Sequence, residues 1–231
     1  MKKQFSLFAS TLFLFTLTLV TSCKKEEDTP STPTPKANVM VVHASPDAPG
    51  VDLLVDNTKV NSAALTFLNN TGYLQVNAGT RNVKVNAAGT TTTVIDANLG
   101  LEENKSYSVF ATGILSNISP LVIEDNLATP AAGKAHVRFI HLCPDAPAVD
   151  IAVASTGAVV FGNKSFRQYS DFTPLDAGTY NLDVRPTGTA IPVLALPAIT
   201  LEAGKIYTVY AKGLLAGSGD QAVGAQIIVN K

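Results

Sequence analysis

The chain contains the same stretch of sequence twice, and this repeat constrains the fold more than any other feature. The pattern His-x-x-Pro-Asp-Ala-Pro-x-Val-Asp occurs at residues 43–52 and again at 141–150. Two shorter segments follow each copy in the same order: Ala-Gly-Thr at 78–80 and 177–179, and Leu-Glu-x-x-Lys-x-Tyr at 101–107 and 201–207. Because order and spacing are both kept, we predict two tandem domains, residues 38–130 and 134–231.

Within each copy, apolar residues alternate with polar ones. Residues 51–56, 81–86 and 107–111 all show this period of two, and clusters of Gly, Asn, Asp and Pro separate them. Alternation of this kind is typical of half-buried strands, and no helical pattern lasts ten residues. About seven short strands per copy predict an all-β protein, with two antiparallel β-sandwiches of immunoglobulin-like or transthyretin-like character.

The first residues have the layout of an export signal. Lys2 and Lys3 precede an apolar run over 5–20, which ends in Val-Thr-Ser-Cys at 20–23. This ending resembles the lipobox of bacterial lipoproteins, a family in which the cysteine is acylated and the preceding peptide is removed. The resemblance implies a signal peptide over 1–22 and lipid, such as palmitate, on Cys23; the alternative is an uncleaved anchor helix.

Residues 23–37 predict a tether. A Lys-Lys-Glu-Glu-Asp cluster at 24–28 precedes a Pro/Thr/Ser stretch that has nothing apolar to bury and favours an extended spacer. The charged cluster resembles the signal that sends lipoproteins of Bacteroidetes-type bacteria to the outer face of the outer membrane, and the alternative is a solvated charge run. We therefore expect a lipid-anchored protein of the cell envelope, at the outer membrane and displayed on the surface.

Charge and cysteine content exclude several functions. The formal net charge of −1 becomes −3 without Lys2 and Lys3, and no basic cluster occurs, so nucleic acid is not an expected partner. With Cys23 carrying lipid, Cys143 is alone, which excludes an intrachain disulfide, a Cys-x-x-Cys pair and a cysteine-based zinc site.

The repeated motifs resemble the family called domain of unknown function 4397. The likeness covers residues 38–231, and its most specific motif appears twice in order. It implies a β-sandwich and brings no catalytic residues. The second copy departs from the first at Cys143, where the first has Ser45, and at 203–204; both changes suit turns.

Six repeated polar residues are the candidate site residues: His43, Asp47 and Asp52, and their counterparts His141, Asp145 and Asp150. A histidine near two carboxylates could bind a metal or transfer protons. However, His43 extends the stripe of Val39 and Val41, which favours a buried histidine hydrogen-bonded to the following turn.

The other candidates also have structural interpretations. Asp47 and Asp145 suit Asx turns, while Asp52 and Asp150 lie on the opposite strand face, where they could be solvated, pin a loop or bind calcium. No Asp-x-Asp-x-Asp loop supports calcium, so we predict no metal and no cofactor. Cys143 could pair with His141 as a reactive thiol, but a semi-buried lone thiol is favoured. Tyr107 and Tyr207 fit the core, each with its hydroxyl on a partner, and any exposed tyrosine could stack on a sugar.

No nucleophile elbow, phosphate loop or His-Glu-x-x-His motif is present. We therefore expect a non-enzymatic binding or adhesion module whose partner is an extracellular glycan or protein. A structural or accessory module of an envelope complex is the alternative. A carbohydrate-active or thiol enzyme is the third hypothesis, and it requires a concave site with convergent titratable groups.

Overall fold

The computed structural model describes residues 34–196 and 198–231. The predicted signal peptide, the lipidation site at Cys23 and most of the predicted tether lie outside these residues. No helix in the described part of the chain is long and apolar enough to span a membrane.

The first repeat consists of eight strands: β1 (Lys36–His43), β2 (Val51–Val55), β3 (Thr58–Lys59), β4 (Asn70–Asn77), β5 (Gly79–Ala87), β6 (Thr93–Leu101), β7 (Ser106–Thr112) and β8 (Ser119–Glu124). A short 3₁₀ helix, Leu115–Asn117, links the last two. β1 begins two residues inside the predicted tether, because Ala37 is buried in the core and pairs with Val76. The tether prediction was therefore too long at this end.

The second repeat consists of ten strands: β9 (Lys134–His141), β10 (Val149–Val153), β11 (Val159–Lys164), β12 (Thr173–Asp176), β13 (Gly178–Tyr180), β14 (Leu182–Pro186), β15 (Leu194–Ala195), β16 (Ile199–Leu201), β17 (Ile206–Lys212) and β18 (Gly224–Val229). A 3₁₀ helix, Gly219–Gln221, precedes β18. The predicted all-β fold is confirmed, with more and shorter strands than expected in the second copy.

Each repeat is a sandwich of two main sheets. In the first, β4-β1-β7-β8 faces β3-β2-β5-β6, and in the second, β12-β9-β17-β18 faces β11-β10-β14-β15, with β13-β16 as a small extra pair. Alternating Val, Leu and Ile side chains fill the space between the sheets, as the period of two predicts. Most pairs are antiparallel, but β1 runs parallel to β7, and β9 to β17. The sequence pattern gave no sign of these parallel pairs.

The two repeats share a third core. Met40 and Val42 alternate with Val39 and Val41, so both faces of β1 are buried. The second face joins a cluster drawn from both repeats: Met40, Val42, Ala44, Phe110 and Ile123 from the first, and Ile140, Leu142, Tyr210 and Ile228 from the second. Residues 34–231 consequently form one compact unit.

Candidate functional site

The repeated histidines are held inside the fold. His43 is fully buried at the end of β1, and its Nε2 lies 2.9 Å from the carbonyl oxygen of Pro49; His141 makes the same contact with Pro147 at 3.1 Å. Burial lowers the pKa of both histidines. Each ring thus ties the strand end to the turn that follows, which is the placement that strand parity predicts.

Asp47 and Asp145 are also structural, but not in the predicted way. We expected local Asx turns. Instead, Asp47 Oδ1 accepts a hydrogen bond from Leu115 N–H at 2.8 Å, and Asp145 accepts one from Leu215 N–H at 3.0 Å. Each carboxylate therefore binds its turn to the loop that follows β7 or β17, the strand that runs parallel to the first strand of its repeat. This loop is far along the chain, so the local sequence could not indicate it as the partner.

Asp52 and Asp150 each hold the turn of a neighbouring hairpin, at Gly89 and Gly188, and Asp150 also binds strand β11; holding a loop is one of the predicted alternatives. Asp52 accepts a hydrogen bond from Gly89 N–H and pairs with Lys59 at 2.7 Å. Asp150 accepts from the N–H groups of Asn163 and Gly188. The Lys59 ammonium lowers the pKa of Asp52, and the two backbone donors lower that of Asp150.

The remaining candidates, Tyr107, Tyr207 and Cys143, are in the core. The hydroxyl of Tyr107 accepts a hydrogen bond from Glu102 N–H, and Tyr207 does the same with Glu202, both at 3.1 Å. Cys143 is only 1% exposed, more buried than expected, and its Sγ contacts Asp145 rather than a histidine. Burial, with the Asp145 carboxylate, raises the pKa of the thiol to about 12, which disfavours the reactive thiolate. In the part of the chain that the structure describes, no three His, Cys, Asp or Glu side chains are grouped as metal ligands would be.

A buried polar cluster joins the two repeats beside the shared core. Arg138, which is 1% exposed, pairs with Asp125 at 2.6 Å between Nη1 and Oδ1. Its other nitrogens donate to Ser108 Oγ at 2.9 Å and Thr208 Oγ1 at 2.8 Å. We call this cluster the inter-repeat lock, since Asp125 and Ser108 come from the first repeat and Arg138 and Thr208 from the second.

The lock extends through Tyr73 and Asn230. Tyr73 Oη donates to Asp125 Oδ2 at 2.5 Å, and Asn230 Nδ2 donates to Tyr73 Oη at 3.1 Å. Burial next to the Asp125 carboxylate raises the pKa of Tyr73, so this hydroxyl remains a hydrogen-bond donor at neutral pH. Ser108 Oγ also donates to Asp125 Oδ2 at 2.6 Å, so the Asp125 carboxylate has three partners in the interior.

A groove opens over the lock, with a volume of about 260 Å³. The first repeat and the linker contribute Ile123, Glu124 and Asn126, and the second contributes Arg138 and the run Tyr169 to Phe172. The site therefore exists only because the repeats pack together. Tyr169 is 39% exposed, whereas Phe172 lies under the Arg138 guanidinium at 4.5 Å, an arrangement that fixes both groups.

Several polar groups in this groove remain available to a ligand. In the described residues, the Asp171 carboxylate and the Tyr169 hydroxyl have no side-chain partner, while Asn126 uses only its oxygen, which accepts from Ala128 N–H. Glu124 is half-exposed and pairs with Lys105 at 2.6 Å. Small-ligand sites usually combine aromatic surface with hydrogen-bond donors and acceptors that can bind the ligand.

A second depression, of about 340 Å³, lies on the first repeat between residues 60–65 and 69–74. Two of its three amide side chains make several bonds, Asn61 with Leu53 N–H and the Val51 carbonyl and Asn69 with Thr66, while Asn70 uses only its oxygen, which accepts from Gly72 N–H. No aromatic ring lines it. The groove between the repeats is therefore the better candidate site.

Comparison with known families accounts for most of the described chain. The family described as Domain of unknown function (DUF4397) matches residues 37–152 and 153–231. The chain belongs to this family. Two successive matches agree with two tandem copies of the DUF4397 domain, as the repeated motifs indicate.

Other comparisons add little to this assignment. No curated protein matches the chain. One solved structure that matches the chain is CBMbc, of family CBM26, from Eubacterium rectale Amy13K in complex with maltoheptaose, at 10% identity and a TM-score of 0.29, covering 83% of this chain and 95% of that one. At that score the likeness carries no argument about a ligand.

Sequence reasoning missed the lock and the groove of this DUF4397 protein. One signal for the lock was present: Arg138 stands three residues before His141, where the first repeat has Met40 three residues before His43. An arginine inside an apolar strand requires a buried partner. Nothing local pointed to Asp125, because it reaches Arg138 only after the repeats pack.

Proposed function

We propose that this protein is a lipid-anchored, non-enzymatic binding module of the cell envelope, and that it binds a glycan in the groove between its two repeats. The observation that carries the proposal is the half-exposed ring of Tyr169 beside the unspent polar groups of Asp171 and Asn126. An aromatic ring offers an apolar face to the C–H surface of a sugar, and carboxylates and amides bond its hydroxyls.

The groove is held in shape by contacts within the protein. Its floor includes Ile123, which packs in the shared core, and Arg138, which the lock holds at three points. Arg167, close by in the sequence, donates to the Ser119 hydroxyl and the Pro120 carbonyl across the repeat boundary. A site on such supports loses little conformational entropy on binding, which favours affinity.

The predicted anchor supports a role at the cell surface. The signal peptide over 1–22, the lipid on Cys23 and the Pro/Thr-rich tether are features of an envelope lipoprotein. Acyl chains hold such a protein at a membrane without a spanning helix. A tethered module of this kind would keep its bound glycan close to the cell.

An enzymatic role has one observation in its favour, since Glu124 and Asp171 line the same groove. Glycoside hydrolysis needs two carboxyl groups of which one is kept protonated by a buried environment. Glu124 is half-exposed and paired with Lys105, which is not such an environment. We therefore favour binding without turnover.

An accessory role in an envelope complex is supported by β18. Its sequence, Gly-Ala-Gln-Ile-Ile-Val, contains neither charge nor proline, and it forms the outer edge of its sheet, with Val229 exposed. Such edges can accept a strand from a partner protein. This alternative predicts that the protein co-purifies with a fixed partner and that Val229→Lys abolishes the association.

The proposal is tested by binding of the purified chain to a panel of oligosaccharides, with calorimetry on any that bind. Tyr169→Ala should lose about tenfold in affinity, the size expected for an aromatic contact of roughly 1.4 kcal/mol. Asn70→Ala is the matched control, because Asn70 is the residue of the first repeat that corresponds to Tyr169. Each is followed by a hydroxyl residue, Thr71 or Ser170, whose oxygen accepts a hydrogen bond from a backbone N–H of the first strand of its repeat.

Three results would contradict the proposal. The first is an absence of binding across the panel, and the second is equal binding by the Tyr169→Ala variant and the wild type. The third is release of reducing sugar on incubation, which would show an enzyme instead of a binding module.

A further inference from the structure

We propose that the groove selects uncharged glycans and discriminates against those that carry carboxylate or sulfate groups. This inference rests on the proposed function and specifies the ligand class of the same site. It follows from which charges in the groove are already neutralised and which are free.

The one cation among the groove-lining residues is not available to an anionic ligand. Arg138 is 1% exposed, and its charge is matched by the Asp125 carboxylate 2.6 Å away. Each of its three nitrogens makes one bond inside the lock, Nη1 to Asp125, Nη2 to Ser108 and Nε to Thr208, and one face of the guanidinium is covered by Phe172. Recognition of carboxylate or sulfate normally uses an arginine fork that is free to bond the ligand.

The anions of the groove are exposed. In the described residues no cation lies within ion-pair distance of Asp171, and Glu124 has Lys105 as its single cationic neighbour. The groove is thus net negative where a ligand would enter. A carboxylate placed about 4 Å from Asp171 in a water-like medium should bind about fivefold more weakly than a neutral group, and the penalty grows as water is excluded.

The hydrogen-bonding character of the groove agrees with its charge. The Asp171 and Glu124 carboxylates can only accept, and the Ser170 hydroxyl already accepts from Phe139 N–H. Asn126 Nδ2, the Ser170 O–H and the Tyr169 hydroxyl are the donors that have no partner among the described residues. A ligand rich in hydroxyl donors satisfies this set, and the volume of about 260 Å³ suits a single sugar ring of a longer chain.

The test compares neutral hexose oligosaccharides with uronate oligosaccharides of the same linkage and length. Binding to the detergent-solubilised full chain is measured by calorimetry in about 20 mM and in about 1 M salt. We expect the neutral member of a pair to bind at least about fivefold more tightly in low salt, and the difference to shrink in high salt because screening weakens the repulsion.

Two variants separate the charge of the groove from the charge of the whole protein. Asp171→Asn keeps an oxygen acceptor but removes the anion, so it should retain neutral binding within a few-fold and bring uronate binding close to it. Glu103→Gln removes one negative charge at an exposed turn outside the groove, and it should leave the discrimination unchanged.

The outcomes distinguish this inference from the proposed function. Equal or tighter binding of the uronates, lost in Tyr169→Ala, would overturn the charge selectivity while leaving the groove as the glycan site. Discrimination that persists in Asp171→Asn would also overturn the selectivity mechanism. Binding that Tyr169→Ala leaves intact would contradict the proposed function itself.

Discussion

The inter-repeat lock should carry a large share of the stability of the protein, and replacing Arg138 by methionine tests this. Methionine is the residue at the matching position of the first repeat, Met40, so the variant fits the shared core in size and chemistry. It removes the ion pair at 2.6 Å and the bonds to Ser108 and Thr208. The Asp125 carboxylate then stays buried with Tyr73 and Ser108 as its only described partners.

The magnitude follows from leaving that charge unpaired. Breaking a buried ion pair by removing one partner costs about 3–5 kcal/mol, whereas replacing both partners by groups that pack well is often neutral or stabilising. We expect Arg138→Met to lower the free energy of unfolding by about 3 kcal/mol. Asp125→Asn introduces the residue type that the second repeat has at the matching position, Asn230, and it should cost a similar amount. The free energy of unfolding of the double variant should be within about 1 kcal/mol of that of the wild type.

The assay is urea unfolding of residues 34–231, with the three variants forming a double-mutant cycle. Arg81→Met is the control, since Arg81 pairs with Asp56 at 3.0 Å and both side chains are partly exposed to solvent, and its loss should cost about 1 kcal/mol or less. The shared core also predicts one unfolding transition for both repeats. Additive losses in the cycle, or a loss below about 1 kcal/mol for Arg138→Met, would refute the reasoning.

Three further predictions concern the histidines and the cysteines. Burial lowers the pKa of His43 and His141 in the fold from 6.5, so the unfolded chain binds more protons below that pH. The free energy of unfolding should therefore fall as the pH drops below 6.5, by up to about 1.4 kcal/mol per pH unit for each histidine. In urea melts of a His43→Gln/His141→Gln variant, the free energy of unfolding should depend less steeply on pH. An unchanged pH dependence would count against burial of the histidines as the cause. The pKa of Cys143 is raised to about 12 from 9.0, which predicts about a thousandfold less thiolate than an ordinary cysteine has at the same pH. A thiol reagent should therefore label Cys143 only after unfolding. Fast labelling of the native chain would contradict its burial. Cys23→Ala should move the protein from the membrane to the soluble fraction and abolish labelling with radioactive palmitate, whereas full membrane retention would favour the uncleaved anchor.

The strands and their faces could be predicted from the sequence because their cause is local. Alternation places Val39, Val41 and His43 on one face of β1, and the structure has them there. The partners of Asp47 and Asp125 could not be predicted in this way, since they are Leu115 N–H and the Arg138 guanidinium, which tertiary packing brings into reach.

The groove depends on packing between repeats for the same reason. Tyr169 was one of six tyrosines, and nothing in its local sequence distinguishes it from Tyr210, which is buried in the shared core. From the sequence we expect an exposed tyrosine to be able to stack on a sugar. Which tyrosine is exposed depends on how the two repeats pack together.

The shared core has a consequence for how this protein arose and how it behaves in dilution. Equivalent residues meet across it, as where the Phe110 and Tyr210 rings pack edge to face at 6.0 Å, which is the contact pattern of a symmetric homodimer. Here the two halves are one polypeptide, so their association is intramolecular and independent of protein concentration. Fusion also frees the halves to diverge: one carries the arginine and the other the aspartate, an asymmetry that a dimer of identical chains cannot have.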